Sequence, residues 1–232
     1  MSGPAPRLAI IIPALDEEQS IGRAIDAIPK HLAPDIVVVD NGSADSTAQV
    51  ASAHGARVVT EPHRGYGAAC LAGIAALRGA DIVAFLDADL SDDPALLPDL
   101  IEPIVSGRAD FVIGSRMIGP REPGALPAHS RFGNWLAGLI LTHLYRQPTT
   151  DLGPFRALRR EALERLHMAD RGFGWTMEMQ AKAARLHLPT VEVPVPYRKR
   201  VGRSKITGSL KASIQASVII LATAFRLLWW RP

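Results

Sequence analysis

Cysteine is almost absent: Cys70 alone stands in 232 residues. That excludes an internal disulfide and suits a reducing compartment. The seven histidines fall at no ligand spacing with Cys70 or with one another, which argues against a structural zinc site. No G-x-G-x-x-G follows the first apolar run, and no G-x-x-x-x-G-K-[ST] occurs anywhere. The phosphate cradles of dinucleotide-binding and P-loop folds are therefore missing. Gly65 and Gly67 echo the first pattern, but Cys70 takes the place of its third glycine. The longest uncharged run near the C-terminus, Ala212 to Phe225, has 14 residues, short of the about 20 that span a bilayer. Met1 to Glu17 holds a short apolar run that meets acidic residues at once, a strand rather than a signal peptide. Acidic residues are also missing from Pro196 to Pro232, where eight basic ones stand, while residues 1–195 carry 18 basic against 23 acidic. A basic tail on an acidic body points to an anionic partner, phosphate or membrane. With no recognition motif or aromatic ladder beside the charge, a nucleic acid is not expected.

What is present reads as one α/β domain. Hydrophobic content of 47% and charged content of 21% are ordinary for a globular chain with a substantial core. Leu8–Pro13, Ile36–Asp40, Ala56–Thr60 and Ile82–Leu86 are short apolar runs rich in β-formers, and helical patterns separate them. That alternation predicts a largely parallel sheet. The last of these runs climbs into Asp87-Ala88-Asp89, followed by Asp92-Asp93-Pro94. Ligands of open α/β sheets bind just outside the carboxyl ends of strands. Two hard oxygen donors there, Asp87 and Asp89, suit Mg²⁺ or Mn²⁺ shared with substrate phosphates. Asp92 and Asp93 read as solvated helix-start charges.

Pro13-Ala14-Leu15-Asp16-Glu17-Glu18, Val39-Asp40-Asn41-Gly42-Ser43, Gly65 and Gly67, Asp87-Ala88-Asp89, and Gly114-Ser115-Arg116 occur in that order. The set resembles family 2 glycosyltransferases. Asp151-Leu152-Gly153-Pro154-Phe155-Arg156, and Val193 to Arg198 with Arg203-Ser204-Lys205, narrow the resemblance to the dolichyl-phosphate mannose or glucose synthase branch and its bacterial relatives. It covers about residues 8 to 206 and implies a glycosyltransferase A-type domain, a mostly parallel nucleotide-binding sheet joined to a mixed acceptor half. It further implies a nucleotide-diphospho-sugar donor, a divalent metal and inverting transfer of a hexose to a polyprenyl phosphate.

The expected roles follow from that resemblance. Asp40 would accept from a base ring N–H, with Pro13, Ala14, Leu15, Glu17 and Arg64 around the donor. Asp89 would ligate the metal, and Asp87, beside Ala88, would complete the shell or face the ribose. Asn41 replaces a frequent second aspartate, and Ser91 stands where a glutamine is common. Arg116 and Arg131, with Asp151, are the acceptor candidates, since guanidinium forks match phosphate oxygens. Arg198, Arg203, Ser204 and Lys205 form a basic loop expected to close over the donor. Glu178 is either a general base for a hydroxyl acceptor or a positioning group. A phosphate acceptor, with a second pKa of ~6, needs no base.

Two stretches remain. Gly119, Pro120, Pro123, Gly124 and Pro127 mark a loop with the length of a lid, before Arg131-Phe132-Gly133-Asn134 opens a helix over Trp135–Tyr145. Residues 207–232 form the second unit expected here. Ile214, Val218, Leu221, Phe225 and Leu228 recur at helical spacing, and Trp229-Trp230-Arg231 ends the run. Such a helix suits the membrane–water boundary and places the enzyme peripherally at the cytoplasmic membrane face. A helix packed on the domain or joining a homodimer is the rival reading. A non-catalytic nucleotide-binding module is the alternative of another class.

Overall fold

The structure, a computed structural model, describes residues 5–202 and 210–231. Arg203, Ser204 and Lys205 lie outside the described residues. Seven strands form one sheet: β1 (Leu8–Ala14), β2 (Asp35–Asp40), β3 (Arg57–Thr60), β4 (Ile82–Phe85), β5 (Phe111–Ser115), β6 (Arg156–Arg159) and β7 (Thr190–Pro194). Their spatial order is β3-β2-β1-β4-β6-β5-β7. Only β6 runs against its neighbours. The α/β sheet is thus mostly parallel with a mixed half, as the motifs imply.

The helices are α1 (Ile21–Asp26), α2 (Thr47–Ala53), α3 (Tyr66–Ala75), α4 (Leu97–Val105), α5 (Ala128–Tyr145), α6 (Arg160–Arg165), α7 (Trp175–Arg185) and α8 (Leu210–Arg226). Period-two alternation sends neighbouring strand residues to opposite faces. Ile10, Ile12, Val38 and Ala84 pack with Ile21 of α1 and Leu97, Leu100 and Ile104 of α4. Ile11, Val37, Val39, Val83 and Phe85 pack with Ala69 and Cys70 of α3 and Trp175 and Met179 of α7. Each fully buried Ile, Val or Phe contributes roughly 1.5–3 kcal/mol, so both faces of the sheet anchor the strand ends that carry the site.

Successive strands step from β1 to β2 to β3, then return to place β4 on the other side of β1. This reversal opens a crevice at the carboxyl ends of β1 and β4, the place where such sheets bind ligands.

A third cluster departs from the sequence reading. Ala137 and Leu141 of α5, Met177 and Ala181 of α7, and Ala224 and Leu227 at the end of α8 share one core. Tyr145 Oη donates to the Ala224 carbonyl across it. The buried side of α8 is made of small residues such as Ala216 and Ala224, while Val218 and Phe225 of the expected apolar stripe face outward. Helix α5 also begins at Ala128, directly after Pro127, a little before the opening expected at Arg131. Proline's fixed φ suits a helix entrance.

Candidate active site

β4 ends at Phe85, and Asp87 and Asp89 follow on the turn beyond it. Asp89 is 3% exposed. Its Oδ1 accepts from Ser91 N at 2.9 Å, and its Oδ2 lies 2.8 Å from Arg200 Nη2. Asp87 Oδ1 accepts from Tyr66 Oη at 3.1 Å. Burial, then the charge of Asp89, push the Asp87 carboxyl up to about 7, with Arg200, Tyr66 and Arg116 pulling the other way. The two carboxylates open on a cavity of about 280 Å³. Arg116, Tyr197 and Arg200 line its polar end, and Leu126, Leu136, Ala216, Ile220 and Leu221 form an apolar wall between α5 and α8.

Arg116 belongs to this cavity, but its fork is engaged. Nε and Nη2 donate to Asp151 Oδ2 and Oδ1 at 2.8 and 2.7 Å, and the guanidinium stacks 4.9 Å from the Tyr197 ring centroid. Nη1 remains for a ligand. Asp151, 1% exposed, therefore orients Arg116 and does not itself meet an acceptor, which corrects the expectation. Arg131 sits exposed on the first turns of α5 and does not line the cavity. Asn134 does line it and is buried.

Of the two roles expected for Glu178, its surroundings match the positioning group. It is buried at 2% exposure, lies 2.7 Å from Lys182 Nζ, and accepts from Ala169 N and Asp170 N at 3.1 and 2.7 Å. It does not line the cavity. Its role is to hold the 169–172 loop, whose Arg171 and Gly172 carbonyls accept from Ala68 N and Gly67 N. A Cβ on Gly65 or Gly67 would stand 2.1 Å from the Arg171 or Asp170 carbonyl oxygen. The two glycines let that loop close on the start of α3, which carries Tyr66 to Asp87.

The donor candidates form a second group. Pro13 and Ala14 pair in register with Val39 and Asp40, so Pro13 to Leu15 and Asp40 share one edge of the crevice. Asp40 Oδ1 accepts from Ser43 N at 3.1 Å, and Arg64 Nη2 donates to the Gly42 carbonyl at 3.2 Å. Glu17, buried, lies 3.5 Å from Arg200 and joins the two groups. Arg198 pairs with Asp93 at 2.6 Å.

Asp93 does cap the turn at Pro94, accepting from Ala95 N at 3.1 Å. Asp92 differs from its reading as a solvated charge. It is 1% exposed and neither oxygen has a hydrogen-bond partner among the described residues. Burial pushes its carboxyl well above the usual range, against the pull of Arg116.

Arg200, Tyr66, Tyr197 and Asn134 were not singled out from the sequence. Arg200 and Tyr197 lie in stretches that were, but a loop has no period from which to tell which arginine turns inward.

The family model for glycosyl transferase family 2 matches residues 9–167. An uncharacterized glycosyltransferase of Mycobacterium tuberculosis is 41% identical over 217 residues, 93% of this chain and 96% of its own length. The undecaprenyl-phosphate mannosyltransferase of Micrococcus luteus is 32% identical over 221 residues, 88% and 89% of the two chains. Among solved structures, glucosyl-3-phosphoglycerate synthase of M. tuberculosis with Mn²⁺, UDP and glucosyl-3-phosphoglycerate superposes with a TM-score of 0.79 at 26% identity, covering 98% of this chain and 82% of that one. The ordered motifs, the crevice at β1 and β4 and these matches agree: the chain belongs to glycosyltransferase family 2 and is a glycosyltransferase with the A-type fold.

Proposed function

We propose that this enzyme moves a hexose, with inversion, from a nucleotide-diphospho-sugar to a polyprenyl phosphate of dolichyl or undecaprenyl type, as a peripheral protein at the cytoplasmic membrane face. The observation that carries this reading is the cavity, which joins the two carboxylates to an apolar wall made by α5 and α8. A phosphate head would meet Arg116 Nη1 and Asn134, and its chain would leave along that wall. The name of the M. luteus relative supports the same acceptor class.

Asp87 and Asp89 fit Mg²⁺ or Mn²⁺. Both offer hard oxygens, and among the described residues no cluster of three His, Cys, Asp or Glu side chains is placed to hold an ion. That suits a cation that shares its shell with phosphates and water. When bound, such a cation neutralises charge on the diphosphate leaving group. On the donor side, Asp40 with Pro13 to Leu15 frames the base, and Glu17, Arg64 and Ala88 flank the sugar nucleotide. Arg198, Arg203, Ser204 and Lys205 are the basic and hydroxyl donors proposed for its diphosphate. A phosphate nucleophile is already anionic, which agrees with a Glu178 carboxylate engaged elsewhere.

The test is transfer of labelled hexose from UDP- or GDP-sugars to lipid phosphate, read in the organic phase. Transfer should need the metal and should fall at least about 100-fold in Asp89→Asn, since several kcal/mol of charge stabilisation are lost. Equal transfer to a hydroxyl-bearing lipid, or transfer to 3-phosphoglycerate alone, would overturn the acceptor.

A further inference from the structure

The segment after β7 is stitched onto the acidic turn. Arg198 N donates to the Ser91 carbonyl and Val201 N to the Asp89 carbonyl, each at 2.9 Å. Between these ties Arg200 reaches back, with Nη2 2.8 Å from Asp89 Oδ2 and 3.5 Å from Glu17 Oε1. Asp89 Oδ1 is already taken by Ser91 N. One oxygen of this buried carboxylate is thus bound by backbone and the other by a guanidinium. Arg200 holds on lightly from its own side: its side chain is 32% exposed, and its Nε has no hydrogen-bond partner among the described residues.

We infer that Arg200 is the internal counter-cation of the acidic turn and that it exchanges Asp89 for the donor's diphosphate when a divalent cation binds. The inference rests on the metal-dependent donor reading proposed above. A guanidinium at 2.8 Å stabilises the Asp89 carboxylate and repels a second cation at the same oxygen. A divalent ion alone therefore binds against Arg200. With a nucleoside diphosphate present, Arg200 gains phosphate oxygens that match its fork, and the same ion binds with its help. Metal and nucleotide are then coupled, and the coupling is reciprocal because it is a free energy shared by the two sites.

The experiment titrates Mn²⁺ with and without UDP or GDP, reading free Mn²⁺ by electron paramagnetic resonance. Arg200→Gln should bind Mn²⁺ alone roughly tenfold or more tightly than wild type, the scale on which a neighbouring charge changes a carboxylate's affinity for a cation. The further gain on adding nucleotide should shrink. Arg200→Lys keeps the charge without the fork, so it should keep weak Mn²⁺ binding and lose nucleotide coupling. Lys199→Gln removes a charge from the same segment without touching Asp89, and should titrate like wild type. Unchanged or weaker Mn²⁺ binding in Arg200→Gln, or an equal gain in Lys199→Gln, would overturn the inference while the metal reading stands. Failure of wild type to bind Mn²⁺ under either condition would overturn both.

Discussion

Burial and the charge of Asp89 raise the pKa of the Asp87 carboxyl, and this has a thermodynamic consequence. That carboxyl titrates at about 7 in the fold, against about 3.9 in an unfolded chain. Between those values the folded state binds more protons, so stability is lost as pH rises from 4 through 7. Asp87→Asn removes the charge and its cost. The variant should melt several degrees above wild type at pH 8 without metal, with the gap narrowing as pH falls and closing only below about pH 4, while its transfer activity collapses. A melting difference that does not change with pH would show that Asp87 is not desolvated in this way. At this scale the sequence showed which carboxylates stand at the strand end, because a strand that runs straight into Asp-x-Asp is a local pattern. It did not show that Asp92 is buried or that Arg200 covers Asp89. Those facts depend on where residues 198–201 return, more than a hundred positions later in the chain.

At the scale of elements, α7 supports the site from behind. Its Glu178 and Lys182 form a buried pair, 2% and 3% exposed, and Lys182 Nζ also donates to the His167 carbonyl at 2.6 Å beneath the Trp230 ring. Through the 169–172 loop this pair sets the start of α3 and so the Tyr66 hydroxyl. Glu178→Gln leaves Lys182 buried without its counter-charge, a change that costs about 3–5 kcal/mol. Urea unfolding should show that loss, and the activity remaining at low temperature should keep the wild-type pH profile. Wild-type stability with a fall of 10² or more in kcat, the scale of a deleted base, would restore Glu178 to a catalytic role. The parallel strands and their helices were legible because apolar runs and helical spacing are local signals. The antiparallel β6 was not, since Arg156–Arg159 is four residues long with arginine at both ends. Arg156 is nevertheless fully buried, donating to the carbonyls of Leu152, Gly153 and Thr176, an arrangement with no signature along the chain.

At the scale of the whole molecule, the outer sides of α5 and α8 carry large apolar side chains that the core leaves uncovered. Phe132 and Trp135 on α5, Val218, Ile219 and Phe225 on α8, and Trp229 beyond it are large apolar side chains left exposed. They stand on the two helices whose inner sides wall the cavity. No helix among the described residues is long and apolar enough to cross a membrane. If this face lies in the headgroup region, the cavity opens toward the lipid from which the proposed acceptor comes. Arg131 and Arg226, next to Phe132 and Phe225, would then sit among anionic headgroups at roughly 1 kcal/mol each. Half-exposed rings such as Trp135 and Phe225, 55% and 50% exposed, would each contribute about 1 kcal/mol on insertion. Trp135→Gln combined with Phe225→Ser should therefore weaken binding to anionic liposomes more than tenfold. The protein's own stability should change little, as expected for surface sites. Turnover with a long-chain polyprenyl phosphate in liposomes should fall in parallel, while a short-chain analogue in solution is used as before. High salt should weaken the wild-type association further, because surface charges are screened. Liposome binding equal in variant and wild type would move the face away from the membrane, and concentration-dependent sedimentation of the wild type alone would assign it to a dimer.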